Sequence, residues 1–249
     1  MTRIAVVADI HGNLPALHAV VADIESRVVD RVVNLGDLVS GALWPRETLD
    51  FLMQQSWLHI AGNHDRQLVA DDPATHGPSD RYAFERLDPS HIAWLATLPP
   101  IAAIAQDVLL CHGTPSSDLA YLLERIEHRR LRIARPAEVS QQLGVQTARI
   151  VLCGHSHMPR LVRSEGGAIV MNPGSVGLPA FDDTGSDPHV SETGSPHARY
   201  ATLELTNNAC RVSFHAVEYD CAAAAAQSES AGRPDWAAAL RTGYVFRSN

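Results

Sequence analysis

Long apolar runs are missing from this chain. No stretch approaches the roughly 18 consecutive apolar residues of a membrane-spanning helix, so no membrane segment is expected. The N-terminal run at residues 4–8 stops at Asp9 and is too short for the apolar core of a secretory leader. Cysteine is scarce. Cys111, Cys153, Cys210 and Cys221 are the four present, and no two form a CxxC pair. That spacing speaks against a zinc ribbon and against a thioredoxin-type redox site. Cys111 and Cys153 each close an apolar run and read as small core residues, which fits a reduced, cytoplasmic protein. Basic charge is also short. A net charge of −8, with no Lys/Arg cluster beside any motif, argues against a long nucleic acid and against an anionic membrane as partners. A small anionic substrate stays compatible, because bound metal ions reverse the local field.

What is present is an ordinary globular composition, 45% hydrophobic over 249 residues, enough for a substantial core. Residues 3–8 form a β-branched apolar run that predicts a buried strand. Residues 14–28 carry apolar side chains at helical spacing, with Pro15 suited to a first turn. Strands are expected at 31–35 and 57–61, and a helix at 45–55. This alternation predicts α/β units with a largely parallel sheet. Farther on, the pattern predicts a helix at 82–98, strands at 101–105 and 108–111 around a turn at Gln106-Asp107, helices at 119–126 and 136–143, and a strand at 149–153. The last third reads as strands at 160–164, 168–171, 200–205 and 210–219, with hairpin turns at Gly166-Gly167 and Asn207-Asn208. Residues 182–198 are polar and rich in Gly, Pro, Ser and Asp, and are expected as a long loop, either a mobile lid or a disordered insertion. Residues 221–249 are expected as a helical C-terminal tail. No repeat or linker divides the chain, so residues 1–249 are expected to form a single domain.

Short polar clusters follow these apolar runs. They are Asp9-Ile10-His11, Gly36-Asp37, Gly62-Asn63-His64-Asp65, Cys111-His112-Gly113, Gly154-His155-Ser156-His157 and Asn172-Pro173-Gly174-Ser175. Asp, Asn and His are oxygen and imidazole donors suited to divalent metals. On extended backbone, residues i and i+2 point the same way, so Asp9 with His11, and His155 with His157, are each expected to reach one ion. Taken singly, each cluster is most simply a turn, a cap or a satisfied histidine. Taken together, they place donors at successive strand ends, where sites of open α/β sheets gather.

The ordered set Asp9-Ile-His11, Gly36-Asp37, Gly62-Asn-His-Asp65, His112 and Gly154-His-Ser-His157 resembles the calcineurin-like metallophosphoesterase superfamily, whose pattern runs D-x-H, GD, GNH(D/E), a lone His and GHxH. The stretches around Gly36–Gly41, Cys111–Pro115 and Asn172–Gly177 look like its small bacterial phosphodiesterase branch. Ser40 and Asp65 depart from the GDxVDRG and GNHE pattern of the protein phosphatases. The resemblance implies two packed mixed β-sheets flanked by helices, an αββα sandwich. It implies two divalent transition-metal ions (manganese, iron, zinc, cobalt or nickel), one held by Asp9, His11, Asp37 and His157, the other by Asp37, Asn63, His112 and His155. It also implies hydrolysis of a small organic phosphate ester, a diester before a monoester, by a metal-bridging hydroxide with His64 as proton donor. A non-catalytic scaffold of the same fold is the alternative of another class. Three further expectations concern supporting residues: Asn13 orients a phosphate or a ligand loop, Asp65 fixes the His64 ring, and Arg66 contacts the substrate phosphate or stays a surface residue.

Overall fold

The computed structural model describes residues 1–104, 107–206 and 209–246. The turn expected at Asn207-Asn208, and Ala105 and Gln106 of the earlier turn, lie outside the described residues. The first elements alternate as expected: β1 (Thr2–Val7), α1 (Leu14–Glu25), β2 (Arg31–Asn34), α2 (Pro45–Met53), β3 (Leu58–His59) and α3 (Asn63–Ala70). The helix expected at 82–98 is two helices, α4 (Pro78–Phe84) and α5 (Pro89–Leu95). Pro89 accounts for the break, since its ring lacks an N–H and disfavours helical backbone at Asp88. There follow β4 (Ile101–Ile104), β5 (Val108–Cys111), β6 (Glu124–Glu127), β7 (Arg130–Ile133), α6 (Pro136–Leu143), β8 (Ile150–Leu152), β9 (Arg160–Arg163) and β10 (Ile169–Asn172). The chain then runs through β11 (Ala180–Asp183), β12 (His189–Glu192), β13 (Ala198–Leu205), β14 (Cys210–Val217), α7 (Cys221–Ser230) and α8 (Pro234–Thr242).

Two five-stranded mixed sheets, ordered β14-β13-β1-β2-β3 and β4-β5-β8-β10-β9, pack face to face. In the first, β1, β2 and β3 run parallel; in the second, β5, β8 and β10 do. Alternation along β1 sorts its side chains by face. Ile4 and Val6 meet Leu110, Ile150 and Leu152 between the sheets, while Ala5 and Val7 meet Leu17, Val20 and Leu49 of the covering helices. On the far side, Val151 and Val170 pack under Val139 and Leu143 of α6. Full burial of each such aliphatic side chain contributes about 1.5–3 kcal/mol. The expected helix-flanked pair of sheets is thus the frame of the molecule.

A third sheet, β11-β12-β7-β6, was not legible in the sequence. The helix expected at 119–126 is instead loop and strand, with β6 paired antiparallel to β7. The turn between them is His128-Arg129, with φ of 51° and 60°. Such a turn normally declares itself by Asn-Gly, so His-Arg hides it. The polar stretch at 182–198, expected as a loop, carries the end of β11 and all of β12, an antiparallel pair. Its inward side chains are polar: His189 and Ser191 are buried but bonded to Tyr121 and the Ser156 carbonyl. No alternation of hydropathy marks these strands.

His59 of β3 makes an isolated demand on stability. It is 7% exposed, lies between Trp57 and Trp94, and neither ring nitrogen has a hydrogen-bond partner among the described residues. Burial pushes its pKa down to about 4 from an ordinary 6.5. Between those values the unfolded chain binds the proton that the folded chain refuses, so stability falls as pH drops through that window, by up to about 3 kcal/mol. Urea unfolding of wild type and His59→Phe should show the variant gaining on wild type from pH 6.5 down to pH 4. A gap that stays constant with pH would show that His59 does not titrate this way.

Candidate metal centre

The parallel strands of both sheets end on one edge, and the clusters follow them there. Asp9 and His11 follow β1, Asp37 follows β2, Asn63 follows β3, His112 follows β5, and His155 and His157 follow β8. Donor atoms of Asp9, His11 and His157 lie within 4.8 Å of one another, and those of Asp37, His112 and His155 do likewise. The two groups adjoin. His112 Nε2 is 3.2 Å from Asp37 Oδ2, 3.9 Å from Asp9 Oδ1 and 3.1 Å from Asn63 Oδ1. All seven candidate ligands therefore come together.

They do so by a different local geometry from the extended one expected. Asp9, His11, Asp37, His155 and His157 have φ of 55°, 51°, 57°, 70° and 60°, all in the left-handed region. Non-glycine residues are held there at a cost of order 1 kcal/mol or more each, so surrounding bonds must fix them. Asp9 N and His11 N donate to the Gly36 and Asp37 carbonyls at 3.0 Å, and His155 N donates to Asp9 Oδ1 at 3.1 Å. Two glycines make the crossing possible. A β-carbon on Gly36 would overlap the Gly62 backbone, and one on Gly62 would overlap the Asp37 carboxylate.

The hydrogen-bond network assigns the imidazole tautomers. Nδ1 of His11, His112 and His157 lies 2.7 Å from the carbonyl oxygens of Ser40, Leu35 and Leu178 respectively. A carbonyl only accepts, so each Nδ1 carries the hydrogen and each Nε2 is left with a lone pair when neutral. His155 is reversed: its Nε2 donates to the Leu119 carbonyl at 3.1 Å. His11 Nε2 and His157 Nε2 stand 3.0 Å apart, lone pair against lone pair. Beside them Asp9 Oδ2 is buried with no hydrogen-bond partner among the described residues. Burial holds His11 at about 4, His155 at about 3 and His157 well below the usual imidazole range, so these rings stay neutral near pH 7. Burial also raises Asp9 to about 8. Burial opposes charge on His112 too, but Asp37 outweighs it and lifts the ring to about 10. The His11, His155 and His157 imidazoles and the Asp37 carboxylate thus stay free of protons near pH 7, a nitrogen and oxygen set that fits cations of borderline hardness.

His64 opens α3 and is no part of either donor group. Its Nδ1 lies 2.7 Å from Asp80 Oδ1, and its ring centroid is 5.7 Å from that of His11. Burial opposes its protonation, but Asp37, Asp80 and Asp65 outweigh it and lift it to about 9. Asp80, which sequence reasoning missed, is the partner of this ring. Nothing marks it in the chain, because it sits on the first turn of α4, away from every motif.

The expected role of Asp65 is corrected. Its carboxylate does not bond the His64 ring; it accepts from the backbone N–H groups of Asp37, Leu38 and Gly62 at 2.8, 3.0 and 2.9 Å. It fixes the Asp37 loop. Asn13 is wholly buried, and its bonds are those of the second expected role, orienting a loop. It caps α1 and donates to the Gly177 carbonyl at 2.8 Å, binding the loop behind Asp9. The Asn172–Ser175 turn supports the same region: Asn172 donates to the Gly154 carbonyl, and Ser175 to that of Asp9. Arg66 pairs with Asp118 at 2.5 and 3.2 Å and is exposed. Three aromatic rings outside the motifs pack on the clustered imidazoles: Tyr121 on His155 at 4.8 Å, Phe181 on His157 at 4.7 Å and Trp236 on His11 at 5.9 Å.

Residues 2–192 match the calcineurin-like phosphoesterase superfamily domain. An uncharacterised protein of Methanocaldococcus jannaschii is 25% identical over 202 residues, covering 72% of this chain and 77% of that protein. The fold matches the crystal structure of a metallophosphoesterase from Sphaerobacter thermophilus with a TM-score of 0.75 and 26% identity, over 97% of this chain and 99% of that one. It matches a hypothetical protein from Pyrococcus horikoshii OT3 with a TM-score of 0.76 and 20% identity, over 98% and 99%. With the family match covering most of its length, this chain belongs to the calcineurin-like phosphoesterase superfamily.

Proposed function

We propose that the protein hydrolyses small organic phosphate diesters, using two divalent transition-metal ions and His64 as the proton donor. The observation that carries this is the facing pair of imidazole lone pairs on His11 and His157, 3.0 Å apart beside the unpartnered Asp9 Oδ2. Asp9, His11, Asp37 and His157 would hold one ion; Asp37, Asn63, His112 and His155 would hold the other. Mixed nitrogen and oxygen donors favour manganese, iron, zinc, cobalt or nickel over calcium. When bound, such a pair lowers the pKa of water near it and neutralises charge on the phosphoryl oxygens.

The chain's own residues do the rest. His64, kept protonated by Asp80 and Asp37, stands where it can give its proton to the departing oxygen. Asp80 holds Nδ1, which leaves Nε2 to face the substrate. A diester carries one negative charge and a monoester up to two. The guanidinium nearest to His64 in sequence, Arg66, is already neutralised by Asp118, which favours the less charged ester. The net charge of −8 disfavours long nucleic acids.

Hydrolysis of bis-p-nitrophenyl phosphate should stop on chelation and return with Mn²⁺. Asp37→Ala and His157→Ala should each lose about 100-fold or more in kcat even with Mn²⁺ added. Full activity of a chelated, metal-free sample would sink the mechanism. His64→Ala should keep its metal, measured by elemental analysis, yet lose about 100-fold in kcat on diphenyl phosphate, whose poor leaving group needs the proton; unchanged turnover on that ester removes the acid role. Asp80→Asn should fall about tenfold on the same ester, through a misheld His64 ring. A higher kcat/KM for p-nitrophenyl phosphate than for the diester would turn the assignment to a monoesterase.

A further inference from the structure

The family match ends at residue 192, yet the helices beyond it touch the site on two sides. Trp236 of α8 is 7% exposed and sets its ring edge-on to His11, with 86° between the planes. It fits because residue 41 is glycine: a β-carbon there would lie 2.5 Å from the indole. The residue before, Ser40, provides the carbonyl that holds His11 Nδ1. Three positions before Trp236, Arg233 crosses to α4 and its Nη1 donates to Ser79 Oγ at 3.0 Å. Its guanidinium stands 5.4 Å from the Trp236 ring, and Asp235 pairs with its Nε and Nη2. Ser79 immediately precedes Asp80, and its carbonyl accepts from Gly41 N at 3.3 Å. Gln227 of α7 donates to the Tyr82 hydroxyl on the same helix at 3.1 Å.

We propose that α8 is part of the catalytic apparatus, with Arg233 a positioning residue for the Asp80–His64 pair and Trp236 a positioning residue for His11. This rests on the assignment of His64 as the acid. Helix α4 is only seven residues long, so its register against α3 depends on outside anchors such as Arg233. Proton transfer to a leaving oxygen tolerates little displacement of the donor, so a small shift of Asp80 is felt at His64. Trp236 acts by bulk: it blocks one swing of the His11 ring while the Ser40 carbonyl blocks rotation about the other direction.

The test compares two diesters. Bis-p-nitrophenyl phosphate has a good leaving group that needs little protonation; diphenyl phosphate has a poorer one that needs more. Arg233→Ala should lose about tenfold in kcat on diphenyl phosphate and much less on the nitrophenyl ester, with KM unchanged. Arg233→Lys, which can still donate to Ser79, should recover most of the loss. In a His64→Ala background Arg233→Ala should add nothing, because its effect passes through the missing ring. An equal loss on both esters that persists without His64 would overturn the role of Arg233 and leave it a packing residue. Trp236→Leu should weaken Mn²⁺ binding about tenfold in calorimetry while Trp236→Phe stays near wild type. Unchanged Mn²⁺ affinity in a Trp236→Leu protein with native circular dichroism would overturn that half. Calorimetry does not depend on turnover. A wild type that binds Mn²⁺ but cleaves neither ester would therefore sink the hydrolase assignment and the role of Arg233 with it, and Trp236 would still be judged by affinity.

Discussion

Lone pairs aimed at one another in a dry pocket repel, and only positive charge between them relieves the repulsion. This constraint organises the molecule. His11 and His157 cannot relieve it by turning over, because each would break a 2.7 Å bond from Nδ1 to a backbone carbonyl, and a third such bond fixes His112 beside them. Those carbonyls belong to Ser40, Leu35 and Leu178, which lie on loops with no other common purpose. The imidazoles therefore bind the loops as firmly as the loops aim the imidazoles. The left-handed backbone at five of the seven donors is the other side of the same arrangement: conformations of order 1 kcal/mol uphill are kept by a dense mesh of bonds around them.

Much of this was legible in the chain, for a physical reason. The donors sit directly after buried strands, so apolar run followed by polar cluster locates both the strand end and the site. Glycines 36 and 62 stand beside Asp37 and Asn63 because two backbones cross there, and that requirement leaves a trace in sequence. Asp80 left none. Its contact with His64 depends on how α4 docks, and docking is a property of the whole fold. Asp65 misled for a related reason: adjacency in sequence to His64 suggests contact, but as the third residue of α3 its carboxylate turns back to the helix N-terminus.

The third sheet shows what hydropathy cannot convey. Its inward residues include Ser191 and His189, satisfied by hydrogen bonds, so β12 looks like loop. Yet this sheet, the loop leading into it and the C-terminal helices carry the rings that stand against His157, His155 and His11. The motifs supply donors; the remainder of the chain supplies the surroundings that hold them.

His11 and His157 meet although 146 positions separate them. β8 must also have entered its place between β5 and β10 before His155 and His157 arrive. On a ribosome the early donors emerge long before their partners, and no fragment lacking β8 contains the complete pocket. Assembly of the full donor set thus waits on β8, and the finished pocket requires that both sheets have docked.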